Sequence, residues 1–138
     1  MASPSVVSSE VVQTAQDSYD RCRQAHDFFP KFYNRLLASN ESIPPMFVNT
    51  SFEKQNKLLD HGIGSLLIFA KRRNPALLQR IAERHGRRDL AVKPSLYGCF
   101  LDSLIAAVAE FDPQFSPDVE RAWRAAMTPG IEFMKAAF

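Results

Sequence analysis

Apolar residues recur at intervals of three and four along every long segment of the chain, and no stretch alternates convincingly with a period of two. The pattern predicts an all-α protein. A first helix over about 8–24 can start at Ser8-Ser9-Glu10, whose serine oxygens accept free amide hydrogens of the opening turn. A second, over about 27–38, carries Pro30 in its first turn, where a missing amide hydrogen is tolerated. Ser42-Ile43-Pro44-Pro45-Met46 makes a tight corner that delivers Phe47. Thr50-Ser51-Phe52-Glu53 has capping-box spacing and opens a long helix to about residue 71. Asn74-Pro75 begins a shorter helix that ends near His85, and Gly86 is suited to the left-handed turn that stops it. Lys93-Pro94 starts a helix to about residue 111. Ser116-Pro117-Asp118 then combines a serine cap, proline at the first position and an acid near the positive end of the last helix.

About seven helices of unequal length, joined at proline corners, fit a globin arrangement better than a bundle of few, long, similar helices. Thr128-Pro129-Gly130 falls inside the last helix, where proline loses an amide bond and crowds the preceding turn, so a kink or break is expected near Met127. With 138 residues, 46% of them hydrophobic, the chain has room for one domain over 1–138, whose first residues, 1–8, form a short flexible tail.

A net charge of +2 is too small to imply nucleic acid, and the basic clusters Lys71-Arg72-Arg73 and Arg87-Arg88 read as solvated helix ends. Cys22 and Cys99 have no metal-ligand spacing and read as reduced thiols. The start of the chain lacks an apolar signal core, and no apolar run reaches membrane-spanning length. The expectation is a cytoplasmic protein with no membrane and no nucleic-acid partner.

The chemistry centres on His85. On its helix Ile81, Leu78 and Leu77 share its face, so the imidazole emerges from an apolar wall. Taken alone it is also explained as a surface histidine favoured by the negative end of the helix dipole. About thirty residues upstream, Gln55, Leu59, Gly62 and Ile63 form one stripe, and Gly62 leaves room for close approach of a flat group. Gln55 by itself is equally an exposed helix-surface glutamine, and Tyr33 a core aromatic whose hydroxyl reaches water. His61 lies about 600° beyond Gln55, away from that stripe. His26, at a helix junction, reads as a surface or capping residue.

The order Phe32-Tyr33, Phe47, Gln55-x-x-x-Leu59, His85, Val92-Lys93-Pro94-x-x-Tyr97 and Ala122-Trp123 resembles bacterial single-domain haemoglobins and the globin domain of flavohaemoglobins, over nearly the whole chain. The resemblance implies a globin fold, a three-over-three helical sandwich, holding haem b (iron protoporphyrin IX) with His85 as the proximal iron ligand. Tyr33, Gln55 and Leu59 would form the distal side, where the phenol and the amide stabilise a diatomic gas ligand. Phe47, Gly62, Ile63, Ile81, Val92, Tyr97, Phe100, Leu104 and Met127 would enclose the ring, with Arg84 as a propionate partner; each could equally be plain core or, for Arg84, solvated surface.

Implied functions are reversible binding of O2, NO and CO, with nitric oxide dioxygenase activity as an extension. The chain shows no dinucleotide or flavin fingerprint, so that activity would need a separate reductase. A globin-type gas sensor acting on a partner protein is the alternative, for which a broken last helix would serve as transmitter; a haem-free interaction module is a third. A monomer or a homodimer fits each. Two departures stand out. Where the flavohaemoglobin pattern places a glutamate after the last-helix tryptophan, counting from Trp123 reaches Phe138, so Tyr97 lacks its acidic partner. The loop through Arg87-Arg88-Asp89 is also longer and more charged than usual.

Overall fold

The computed structural model describes residues 7–86 and 92–136, except the side chain of Leu77. Residues 1–6 of the expected tail, the Arg87-Arg88-Asp89 loop, the Leu77 side chain and Phe138 therefore lie outside the described residues. Six α-helices follow in order: α1 (Ser9–Cys22), α2 (Phe28–Ser39), α3 (Phe52–Arg72), α4 (Ala76–His85), α5 (Leu96–Phe111) and α6 (Pro117–Ala136). A 3-10 turn over Pro44–Phe47 forms the proline corner. No strand occurs among the described residues.

Most helix ends follow local chemistry. The Ser8 hydroxyl accepts the Val11 amide at 3.2 Å, so Ser8 is a cap and not part of a loose tail. Ser116 accepts the Val119 amide in the same way, with Pro117 opening α6. The Asn74 side chain accepts the Ala76 amide and turns the chain into α4.

Two expectations fail. Ser51 stands before α3 without any side-chain cap bond, so the capping box does not form. Gly86 is extended, with φ −69° and ψ 172°, and not left-handed. Its amide bonds to the Glu83 carbonyl, and the His85 carbonyl accepts from Val92, so a loop contact ends α4 where a left-handed glycine was expected. The left-handed residue is Arg73, φ 57°, at the end of α3, with its guanidinium 5.8 Å from the centre of the Phe69 ring.

Of the kink or break expected near Met127, a break does not occur: α6 runs unbroken from Pro117 to Ala136 with Pro129 inside it. Proline removes only the amide that the Ala125 carbonyl would have accepted, and Ala125 is exposed, so water can take its place. One turn earlier the Thr128 hydroxyl donates to the Arg124 carbonyl at 2.6 Å.

Helices α1, α3 and α4 form one layer and α2, α5 and α6 the other, with α6 touching α1, α3, α4 and α5. Trp123, Phe28, Phe32, Ile63 and Leu104 fill the space between the layers. Buried Gly130 lets the backbone of α6 approach α3 and α4, because a β-carbon there would overlap a methyl of Leu66 and lie 3.2 Å from one of Leu78. Gly130→Val is expected to destabilise the protein by about 1–3 kcal/mol through overpacking, read as a lower urea midpoint. Gly130→Ala should cost less, because the Leu66 methyl is the end of a flexible side chain and alanine recovers up to about 1 kcal/mol of helix propensity.

A polar network also spans the layers. Buried Asp112 accepts from the Ser18 hydroxyl at 2.5 Å and from the Arg21 guanidinium at 2.7 and 2.9 Å, and Trp123 donates to the Ser18 oxygen at 2.9 Å. On the other side of α1, Tyr19 donates to Asp60 at 2.5 Å, and Arg23 bonds the second Asp60 oxygen at 2.9 Å. These contacts tie α1 to α3, α5 and α6.

Candidate functional site: an apolar cavity closed by His85

A cavity of about 420 Å³ opens between α2, α3, α4, α5, the C-terminal half of α6 and the proline corner. Its walls contain Tyr33, Phe47, Gln55, Leu59, Gly62, Ile63, Ile81, Arg84, His85, Val92, Tyr97 and Phe100, all singled out from the sequence. The α3 stripe arises as spacing dictates, and a β-carbon at Gly62 would meet nothing within 4 Å. Leu104 and Met127 lie elsewhere: both are fully buried in the core and absent from the cavity wall. Each sits one helical turn from a wall residue, Phe100 on α5 and Ile131 on α6.

Several wall residues went unnoticed in the sequence, among them Leu36, Ile43, Leu66, Leu96, Ile131 and Met134. Apart from Ile43 in the proline corner, each is an apolar residue at helical spacing, which spacing alone cannot separate from plain core. His61 borders the cavity too, despite its offset from the α3 stripe, because the opening is wide enough to reach the flanking positions Leu58 and His61.

His85 ends α4 half-buried, and its Nδ1 lies 3.2 Å from the Tyr97 hydroxyl on α5. Tyr97 is buried, which pushes its pKa up to about 12, so the phenol stays neutral at physiological pH. The contact orients the ring. With the proton on Nδ1 and donated to the Tyr97 oxygen, Nε2 carries the lone pair that a metal would take. Among the described residues no group of three or more His, Cys, Asp or Glu side chains could hold a metal.

Across the cavity, the Tyr33 hydroxyl donates to the backbone carbonyl of Gln55 at 3.3 Å. Burial pushes its pKa up to about 12 as well, so Tyr33 also remains a hydroxyl donor at neutral pH. Its ring packs edge-on against Phe32, Phe47 and Phe52, at centroid distances of 5.1, 5.8 and 5.4 Å. The cavity is thus apolar over most of its wall, with one oriented imidazole on α4 and a phenol and an amide side chain on the facing helices. A flat apolar group anchored through one electron-pair donor fits such a space, whose volume is within the roughly 300–1,000 Å³ usual for ligand pockets.

No protein-family model matches the chain, and no curated protein does. A solved structure is similar: a protein from Pseudomonas aeruginosa described as structurally highly homologous to a human hemoglobin, at 34% identity and a TM-score of 0.90. The match covers 93% of this chain and 98% of that one. Among the described residues no helix is long and apolar enough to cross a membrane.

Proposed function

This chain belongs to the globin family, as a bacterial single-domain globin, and from that premise we propose that its cavity holds haem b and reversibly binds diatomic gases beside it. The observation that carries the reading is His85 at an apolar cavity wall with its Nδ1 oriented by Tyr97. When bound, the haem iron supplies reversible coordination of O2, NO or CO. The chain's own residues set the terms. His85 would give Nε2 to the metal, and Phe47, Ile63, Ile81, Val92 and Phe100 exclude water from its surroundings. Gly62 leaves the α3 wall open for a planar group, and Arg84 at the rim is the proposed propionate partner.

On the distal side, Tyr33 and Gln55 supply hydroxyl and amide donors beside Leu59. The Tyr33 bond to the Gln55 carbonyl is longer than the usual hydroxyl range, so exchanging it for a bond to a ligand costs little. Such donors in a low-dielectric cavity are worth about 1–3 kcal/mol to a ligand atom bearing partial negative charge. Tyr33→Phe is therefore expected to speed oxygen release about tenfold to a hundredfold in stopped-flow measurements. An unchanged rate would remove the distal hydrogen bond from this account.

The primary test is the absorption spectrum of the purified protein with haem: a Soret band that shifts on reduction and again with carbon monoxide. A colourless protein that fails to take up haem would point to the haem-free module. Turnover of nitric oxide to nitrate extends the proposal and requires electrons from a separate reductase. Repeated turnovers with a cellular reductant test it, because a single stoichiometric conversion does not distinguish it from oxygen storage. The sensor alternative drew on a broken last helix as transmitter; α6 is continuous, and that support is gone.

A further inference from the structure

The half of α3 that carries the distal wall is lightly packed. Between Phe52 and Asp60 only Leu59 is buried, whereas Ile63, Ser65, Leu66, Leu67, Phe69 and Ala70 bury the later turns in the core. Ser51 makes no side-chain cap bond at the start of the helix. The Phe52 ring packs on Tyr33 and Phe47 but is itself exposed, and the Tyr33 bond to the Gln55 carbonyl is 3.3 Å long. Apolar burial therefore leaves the setting of this segment open, and a polar tether can decide it.

That tether is Asp60. Among the described residues it is the one α3 side chain that hydrogen-bonds a different helix. One carboxylate oxygen accepts the Tyr19 hydroxyl of α1 at 2.5 Å, and the other accepts the guanidinium of Arg23, the residue that ends α1, at 2.9 Å. The α1 side is firmly anchored: the Tyr19 ring is 2% exposed and stands edge-on to Trp123 and Phe28, at 5.9 and 6.3 Å. Burial first, and the Asp60 carboxylate next, push the Tyr19 pKa far above the usual phenol value, so the donor is present throughout the neutral range. Asp60 lies about 100° round the helix from Leu59, so the tether fixes how α3 is rotated about its own axis. Side chains reach roughly 5–6 Å from a helix axis, and a rotation of about 10° carries Gln55 or Leu59 about 1 Å. A shift of that size takes a donor out of hydrogen-bond range.

We propose that Tyr19, Asp60 and Arg23 form a positioning clamp that sets the rotation of the first half of α3, and with it the reach of Gln55 and Leu59 toward a bound gas, an inference resting on the reading of the cavity as a haem and gas site. None of the three lines the cavity, so the clamp acts only through the helix.

Tyr19→Phe removes one bond of the clamp and keeps the ring in the core. Amide hydrogen exchange of the purified protein should quicken about tenfold over 56–62, as the loss of a hydrogen bond to a charged acceptor dictates. In the carbon monoxide complex the infrared C–O stretch should shift or split, because it reports the polar groups beside the gas. Oxygen release should speed by less than the roughly tenfold to hundredfold expected of Tyr33→Phe. Ser116→Ala is the control: loss of the α6 cap lowers the urea midpoint but should leave exchange over 56–62 and the C–O band in place. Unchanged exchange over 56–62 in Tyr19→Phe, or an equal rise in Ser116→Ala, overturns the clamp. Quickened exchange with an unmoved C–O band and oxygen rate overturns its reach to the gas. If Tyr19→Phe does not fold, Arg23→Ala removes the second bond from an exposed position and is judged by the same outcomes. If no carbon monoxide complex forms, the haem reading fails instead, and exchange over 56–62 alone decides whether the clamp stands.

Discussion

Replacing His85 with alanine should abolish tight haem uptake while leaving the helices in place. His85 is the side chain proposed to hold a metal in a cavity whose described wall is otherwise apolar or neutral apart from His61 and Arg84. Loss of an outer partner of a metal ligand commonly lowers metal affinity about 10–100-fold, and loss of the ligand itself should exceed that. His85 sits half-buried at the last position of α4, so truncation removes little core packing. Haem titration followed at the Soret band should show weak, non-stoichiometric binding, and added imidazole should restore part of the spectrum by entering the space left. Far-ultraviolet circular dichroism should match the wild type. Tight binding in the alanine variant, with an unaltered spectrum, would mean that another group holds the iron. Tyr97→Phe separates the ligand from its orienting partner: haem should still bind, but up to about 100-fold more weakly.

Asp112→Ala should produce the largest loss of stability. The carboxylate is fully buried and accepts from Arg21, Ser18 and the Gln114 amide, while Ser18 accepts from Trp123 at the centre of the core. Removing one partner of a buried ion pair costs about 3–5 kcal/mol, because the remaining charge and donors lose their counterpart. Against a total of roughly 5–15 kcal/mol, that is a large share. Arg21 keeps some contact with water, its side chain being 24% exposed, so the lower end of the range is expected. Urea unfolding at neutral pH measures the effect, and a loss below about 1 kcal/mol would show the network to be dispensable.

The same carboxylate sets an acid limit. Burial by itself raises the Asp112 pKa, but hydrogen bonds from Arg21, Ser18 and Gln114, with the Arg21 charge, outweigh it and hold the group below the usual carboxylate range. A lowered folded-state pKa stabilises the fold above the unfolded value, near 3.9, and that stability is lost as pH falls through the folded value. Wild-type stability should therefore drop as pH falls below about 4, and Asp112→Ala should flatten that part of the profile.

Much of the architecture is legible in the sequence. Ser8, Ser116 and Pro117 act where their side chains dictate, because a helix cap needs only a local oxygen and a few nearby amides. The stripe Gln55, Leu59, Gly62 and Ile63 faces the cavity because residues three and four apart share a helix face. Local rules misled where a distant contact overrode them. Gly86 is suited to a left-handed stop, yet the bond from Val92 to the His85 carbonyl keeps it extended. Pro129 should interrupt a helix, but the carbonyl it orphans belongs to an exposed residue and is cheaply hydrated.

Helix type, helix order, the polarity of each face and the place of His85 at the end of an apolar stripe are local properties, carried by spacing and capping within a few residues. Which faces meet is not local. The Tyr97 hydroxyl on His85, the Tyr33 hydroxyl on the Gln55 carbonyl, the reach from Ser18 to Asp112 and the close approach at Gly130 join residues far apart in the chain. Packing chose those pairs, because covering the most apolar surface while leaving few buried polar groups unpaired is a condition on the whole molecule and not on any one helix.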